Sequence, residues 1–255
     1  MQQTEMNDKS AMARYFITLS YDGTRFHGWQ NQPNGISVQQ VLEDALSKLL
    51  RSHTTVVGAG RTDAGVHARM MVAHFDSDAV IDCEQMVYRL NRILPRDVSV
   101  SGVRQVPADM HARFSAVSRT YRYYVHIQKN PFLRHYSCEM HYDLDFPLMN
   151  QAGRILTEYT DFGSFCKSHS DAKTMRCQVS RAVWVEQSPG AWYFEIRANR
   201  FLRNMVRAVV GTLVEVGRHR LSLEDFRQVI ETGSRSAAGE SMPGHALFLE
   251  DVSYS

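Results

Sequence analysis

Apolar and polar positions alternate from Tyr15 to Tyr21 (YFITLSY), a period of two that predicts a strand ended by Asp22-Gly23. The period then lengthens. Behind Ser37, a helix N-cap residue, Val41, Leu42, Ala45, Leu46, Leu49 and Leu50 share one face of a helix from Val38 to about Arg51. The β-branched run Thr54–Val57 predicts a strand, and so does Met70–Phe75. A helix follows over Cys83–Leu94, stopped by Pro95, and then a strand over Val98–Val106. The second half runs through the same succession. It has a strand at Ser118–Ile127, a helix at Leu148–Tyr159, and strands at Val179–Glu186 and Trp192–Ala198 that meet at Ser188-Pro189-Gly190. A helix over Phe201–Val216, a short extra helix over Leu223–Glu231 and a strand over Leu247–Val252 complete it.

Each half thus reads strand, helix, strand, strand, helix, strand, the split βαβ order. The expected fold is α+β. Two ferredoxin-like halves, residues 13–110 and 111–255, place largely antiparallel sheets side by side, with helices on one face. The cleft between the halves is the expected site, because domain junctions favour substrate binding. The halves share element order and no strong sequence identity. Residues 1–12 are polar and unpatterned, which predicts a frayed tail.

One stretch breaks the pattern of strands and helices. Gly58-Ala59-Gly60-Arg61-Thr62-Asp63-Ala64-Gly65-Val66-His67-Ala68 sets a single carboxylate among small residues, with an arginine two places before it and a histidine four places after. Glycine permits sharp turns and close approach of another molecule. An arginine fork suits phosphate or carboxylate, and an ionised aspartate beside one is a ready nucleophile or base. The same residues also fit a tight hairpin turn with an Asp–Arg surface pair.

Composition narrows the classes. The chain has 255 residues, 44% hydrophobic and 22% charged, which is ordinary for a globular protein. No run is long and apolar enough to cross a bilayer and no signal peptide is evident, so a cytoplasmic protein is expected. The four cysteines (Cys83, Cys138, Cys166, Cys177) form no CxxC pair and read as reduced thiols. Cys138-x-x-His141 and Cys166-x-x-His169 fit no common zinc spacing, and no Walker, Rossmann or GxSxG motif occurs. Net charge is only +2, but five lysines stand against 24 arginines, the base that grips phosphate bidentately and stacks on bases.

Two arginine clusters carry this further. Arg200, Arg203 and Arg207 fall at i, i+3 and i+7, a basic stripe on an otherwise core-like helix. From His111 to Tyr124, Arg113, Arg119 and Arg122 interleave with Phe114, Tyr121, Tyr123 and Tyr124. In a strand the tyrosines at 121 and 123 share a face and could stack on bases while the arginines meet phosphates. A solvated helix face and a half-buried strand are the plain alternatives.

Taken together, the motifs resemble those of the tRNA pseudouridine synthase A family. GAGRTDAGVHA around Asp63 is similar to its signature. Tyr21-Asp22-Gly23-Thr24-x-Phe26-x-Gly28-Trp29-Gln30 resembles its first motif. Asn91-x-x-Leu94-Pro95-x-Asp97 follows, then His111-Ala112-Arg113-Phe114 with Arg119-x-Tyr121-x-Tyr123, then Asn199-x-Phe201-Leu202-x-x-Met205-Val206-Arg207. The order is kept from about Arg14 to the end. Gln40, Thr160 and Ala246 depart from the family pattern. The resemblance implies a homodimeric enzyme without cofactor or metal that converts uridine to pseudouridine at positions 38, 39 and 40 of the tRNA anticodon stem-loop. It implies that Asp63 is the nucleophile, Tyr121 the tyrosine that stacks on the target uracil and Arg207 the partner of the aspartate. Arg61, Arg113, Arg119, Arg200, Arg203 and His67 are the further expected RNA contacts. The rival expectation is a non-catalytic module of two RRM-like units, against which stands the absence of an RNP1 pattern in any strand.

Overall fold

The computed structural model describes residues 12–168, 170 and 172–255. Most of the expected tail and His169 lie outside them. In chain order the elements are β1 (Ala13–Tyr21), α1 (Val38–Leu50), β2 (Val57–Gly58), β3 (His67–Ser77), α2 (Cys83–Ile93), β4 (Val98–Val106), β5 (Ala116–His126), β6 (Cys138–Glu139), α3 (Phe146–Ile155), β7 (Val179–Ser188), β8 (Ala191–Ala198), α4 (Met205–Gly217), α5 (Leu223–Glu231) and β9 (Leu247–Tyr254).

The strands form one open, mostly antiparallel sheet in the order β4-β1-β3-β9-β5-β8-β7, with β2 paired to β3 and β6 to β5. The expected side-by-side sheets are therefore continuous. Their join is a short parallel pairing of β3 with β9, His67 opposite Phe248 and Ala68 opposite Leu249. That join begins where the Asp63 turn runs into β3. Helices α1, α2, α3 and α5 are capped by Ser37, Asp82, Asp145 and Ser222, each accepting a backbone N–H of the first turn. A single apolar core, from Phe16 and Leu19 through Phe75, Tyr123, Phe194 and Val209 to Phe226, runs across both halves of the sequence.

Beyond the unexpected β6 and an α3 that starts at Phe146 and ends at Ile155 rather than running Leu148–Tyr159, three differences from the sequence reading have a visible physical reason. The strand expected at Thr54–Val57 shrinks to Val57–Gly58, because side chains of α1 capture the backbone before it. Ser47 Oγ accepts from Thr54 N at 2.9 Å and Glu43 Oε1 from Val56 N at 2.9 Å. The strand expected at Met70–Phe75 begins earlier, at His67, to meet β9. The helix expected from Phe201 begins only at Met205, because Asn204 takes a left-handed conformation (φ +66°) that breaks the turn. Arg200 and Arg203 therefore precede the helix, and the basic stripe does not exist as a helix face.

Candidate active site

The Asp63 turn is held by the chain that precedes α1. Trp29 N donates to Thr62 O at 3.2 Å, and Tyr21 Oη bonds Thr62 Oγ1 at 2.8 Å. Gly28 makes this approach possible: its φ is +87°, and a Cβ there would stand 2.4 Å from Thr62 O. Val66 N donates to Asp63 O at 3.1 Å and closes the turn. The carboxylate is left part-exposed at its tip.

The second half of the chain brings the counter-charge. Arg207, in the first turn of α4, donates from Nη1 to Asp63 Oδ2 at 3.3 Å; the side chains are 22% and 28% exposed. Arg207 is itself fixed from the other side. Its Nε donates to Met242 O at 2.5 Å, and Met242 N donates back to Arg207 O at 3.1 Å. The Met242 segment is a strap. Pro243 O accepts from Tyr123 Oη at 3.0 Å, and Gly244 packs so close to Ala64 that a Cβ would stand 2.8 Å from its carbonyl oxygen. Asp63 Oδ1 has no hydrogen-bond partner among the described residues. One carboxylate oxygen is tethered and the other is open.

Tyr121, on β5, is buried beside them. Burial raises its phenol pKa, and the negative charge of Asp63 raises it further, so the hydroxyl stays protonated. Phe201 meets its ring edge-on, with centroids 5.1 Å apart. Asp63, Tyr121 and Arg207, 144 residues apart at the extremes, thus share one place.

The other expected contacts divide. Arg61 and Arg203 are exposed, with no side-chain hydrogen bond or ion pair among the described residues, and Arg113 is exposed beside Phe114. Arg200 turns away, donating to Thr174 O at 3.2 Å and Arg176 O at 3.4 Å. Arg119 is only 8% exposed and spends its guanidinium on four backbone carbonyls: Ala116 and Asn199 from Nη1, Ala59 and Arg113 from Nη2. It ties the Asp63 turn to β5 and to the approach to α4. His67 is 1% exposed. Gly23 N donates to its Nδ1 at 3.0 Å, and its Nε2 lies 2.9 Å from His245 O, a pair satisfied by the neutral ring protonated at Nε2. Burial lowers its pKa against the pull of the Asp22 carboxylate.

The sequence assigns no role to the strap, and it places Tyr21, Thr62 and Phe201 in motifs without giving them one. The strap has a local signal in the turn-forming Pro243-Gly244 after the last helix. Among the described residues no three His, Cys, Asp or Glu side chains converge as metal ligands, and no helix is long and apolar enough to cross a membrane.

A family model described as tRNA pseudouridine synthase matches residues 17–115 and 159–255, which include Asp63 and Arg207. The chain belongs to the tRNA pseudouridine synthase family. Curated relatives agree. A protein named tRNA pseudouridine synthase A from Bacteroides thetaiotaomicron is 57% identical over 95% of this chain and 91% of its own length. One of the same name from Porphyromonas gingivalis is 52% identical over 95% and 98%. Another from Anoxybacillus flavithermus is 42% identical over 95% and 99%. Membership of this family makes the chain an RNA-modifying isomerase.

Proposed function

We propose that this synthase converts uridine to pseudouridine at positions 38, 39 and 40 of the tRNA anticodon stem-loop, with Asp63 as nucleophile. The observation that carries the reading is the Arg207–Asp63 pair with its second carboxylate oxygen open, beside the buried ring of Tyr121. The strand orders β4-β1-β3-β2 and β9-β5-β8-β7 support two ferredoxin-like halves meeting at this place.

The reaction breaks the N1–C1′ bond, turns the uracil, and bonds C5 to C1′ with loss of the C5 proton to water. One carboxylate serves it, because uracil is both leaving group and returning nucleophile. Asp63 enters by attack at C1′ or by taking a proton from C2′. Arg207 orients it. The target leaves its stack to reach the carboxylate, and Tyr121 offers its ring as replacement stacking. Arg61, Arg113 and Arg203 face solvent, free to meet phosphates, which supports recognition by shape and backbone. Arg119 and His67, expected as contacts, act in this reading by holding the turn and the strap in place, and Arg200 holds the segment around Thr174 and Arg176. The homodimer that the motifs imply belongs to the same reading.

Purified protein incubated with unmodified tRNA in EDTA, followed by carbodiimide mapping of the product, tests it. Stops at positions 38, 39 and 40 are expected. Pseudouridine confined to other positions would overturn the assignment.

A further inference from the structure

Between β4 and β5 the chain makes a short turn that ends in an anomaly: Phe114, a large apolar side chain, is 76% exposed. The turn that carries it is fastened. Ser115 N donates to His111 O at 2.9 Å and His111 N to Ser115 Oγ at 2.9 Å. His111 Nδ1 accepts from both Arg113 N at 3.1 Å and Phe114 N at 3.3 Å. His111 is held in turn against His74, whose Nδ1 accepts from Ala112 N at 3.1 Å; the two rings lie 4.6 Å apart. Among the described residues only one ring, that of His111 at 4.4 Å, rests against Phe114, and the Arg113 guanidinium stands 5.5 Å from its centroid. Loose surface phenylalanines need no explanation, but an aromatic ring displayed from a turn with this many ties does.

The turn is also bound to the catalytic loop. Arg119 Nη2 donates to Arg113 O at 2.6 Å and to Ala59 O at 2.7 Å, so one nitrogen joins the backbone next to Phe114 with the backbone four residues before Asp63. Beside that point Gly60 faces open space. An exposed ring on a fastened turn, with an arginine next to it and a single guanidinium joining that turn to the loop of Asp63, has the chemistry of an inserting side chain for an enzyme that must draw a base out of a helix.

We propose that Phe114 stacks on a nucleobase at the gap that the target uridine leaves, making it a substrate-contacting residue of the reaction. This rests on the isomerase reading above. The ring fills the stack while Tyr121 receives the extruded uracil. Arg113 meets a phosphate next to the gap.

The test compares wild type, Phe114→Ala and Phe114→Trp on two anticodon-arm substrates. In one the target uridine is paired; in the other a pyrene nucleotide stands opposite it, filling the helix and holding the target out. Melting temperatures should be unchanged, because the ring contributes little to the core. On the paired substrate Phe114→Ala should lose roughly 5- to 150-fold in kcat/KM, the range of one base–aromatic stack. Phe114→Trp should stay within about threefold of wild type, and pyrene should bring Phe114→Ala back to within about threefold, since the substrate then supplies the stack that the side chain no longer makes. A merely structural role would not respond to the substrate. Equal losses on both substrates, no loss on either, or a tryptophan variant as impaired as the alanine variant would each overturn the proposal. A wild type that forms pseudouridine on neither substrate would instead overturn the anticodon stem-loop assignment.

Discussion

Arg207 does two things with one side chain: Nη1 holds Asp63 and Nε holds Met242 O. A lysine supplies charge without the fork, so it cannot serve both partners at fixed geometry. Arg207→Lys should therefore lower kcat about 10- to 100-fold with KM for tRNA nearly unchanged, a loss expressed in the transition state. Steady-state kinetics over a range of tRNA concentrations separate the two, and a rise in KM alone would make Arg207 a binding residue. The residue scale also shows what could be read early. Asp63 is conspicuous as the only carboxylate in a glycine-rich turn, and local pattern offers Arg61 as its partner. The contact is with Arg207, across 144 positions, a range that no local pattern reveals and that only the family resemblance implies.

At the scale of elements, the clearest joint is the Arg119 clamp. Arg119→Met keeps the stem and strands four carbonyls, at a cost of about 2–4 kcal/mol. For a chain of this size that corresponds to a melting temperature lower by about 5–15 °C. Thermal unfolding followed by circular dichroism measures it, and a change below about 2 °C would mean that water replaces the guanidinium. Sequence patterning read β1, α1, α2, β4, β8 and α5 close to their observed bounds, since period and capping residues agree there. It failed where a distant group intervenes. Glu43 and Ser47 of α1 take the amides that Thr54–Val57 needed for a longer strand. At Phe201–Asn204 apolar spacing persists because Leu202 packs in the core without being helical, and the left-handed Asn204 is invisible to periodicity. Arg119 looked like an RNA contact for the same reason: strand position predicts its neighbours in sequence, and its partners come from three other segments.

For the whole molecule, four histidines of low or partial exposure set an acid limit. His67, His74, His111 and His126 all have lowered pKa values, chiefly through burial, with His74 brought to about 4. His74 and His111 accept backbone N–H bonds that the charged ring could not accept. An unfolded chain takes up these protons below about pH 6.5, while the folded chain resists until lower pH. Stability is therefore full above about 6.5 and falls as pH drops from there toward 4. Melting curves at intervals across that range should show the decline. His74→Asn, which keeps an acceptor and removes the titration, should flatten it; an unchanged slope would place the proton uptake elsewhere. The continuous sheet has a further consequence at this scale. The β3–β9 join lies next to the Asp63 turn and the strap lies across it, so the site depends on both halves being folded together.

Asp63 is, in this mechanism, the group that acts on the ribose. Its most direct test is tritium release from tRNA labelled at C5 of uridine, in EDTA and without added cofactor, for wild type and Asp63→Asn, with tRNA binding measured alongside. Forming the C5–C1′ bond must expel that tritium to water. Release by wild type, none above background from Asp63→Asn, and comparable binding by both is the predicted result. Sustained release by Asp63→Asn would rule out a role for the Asp63 carboxylate in the chemistry.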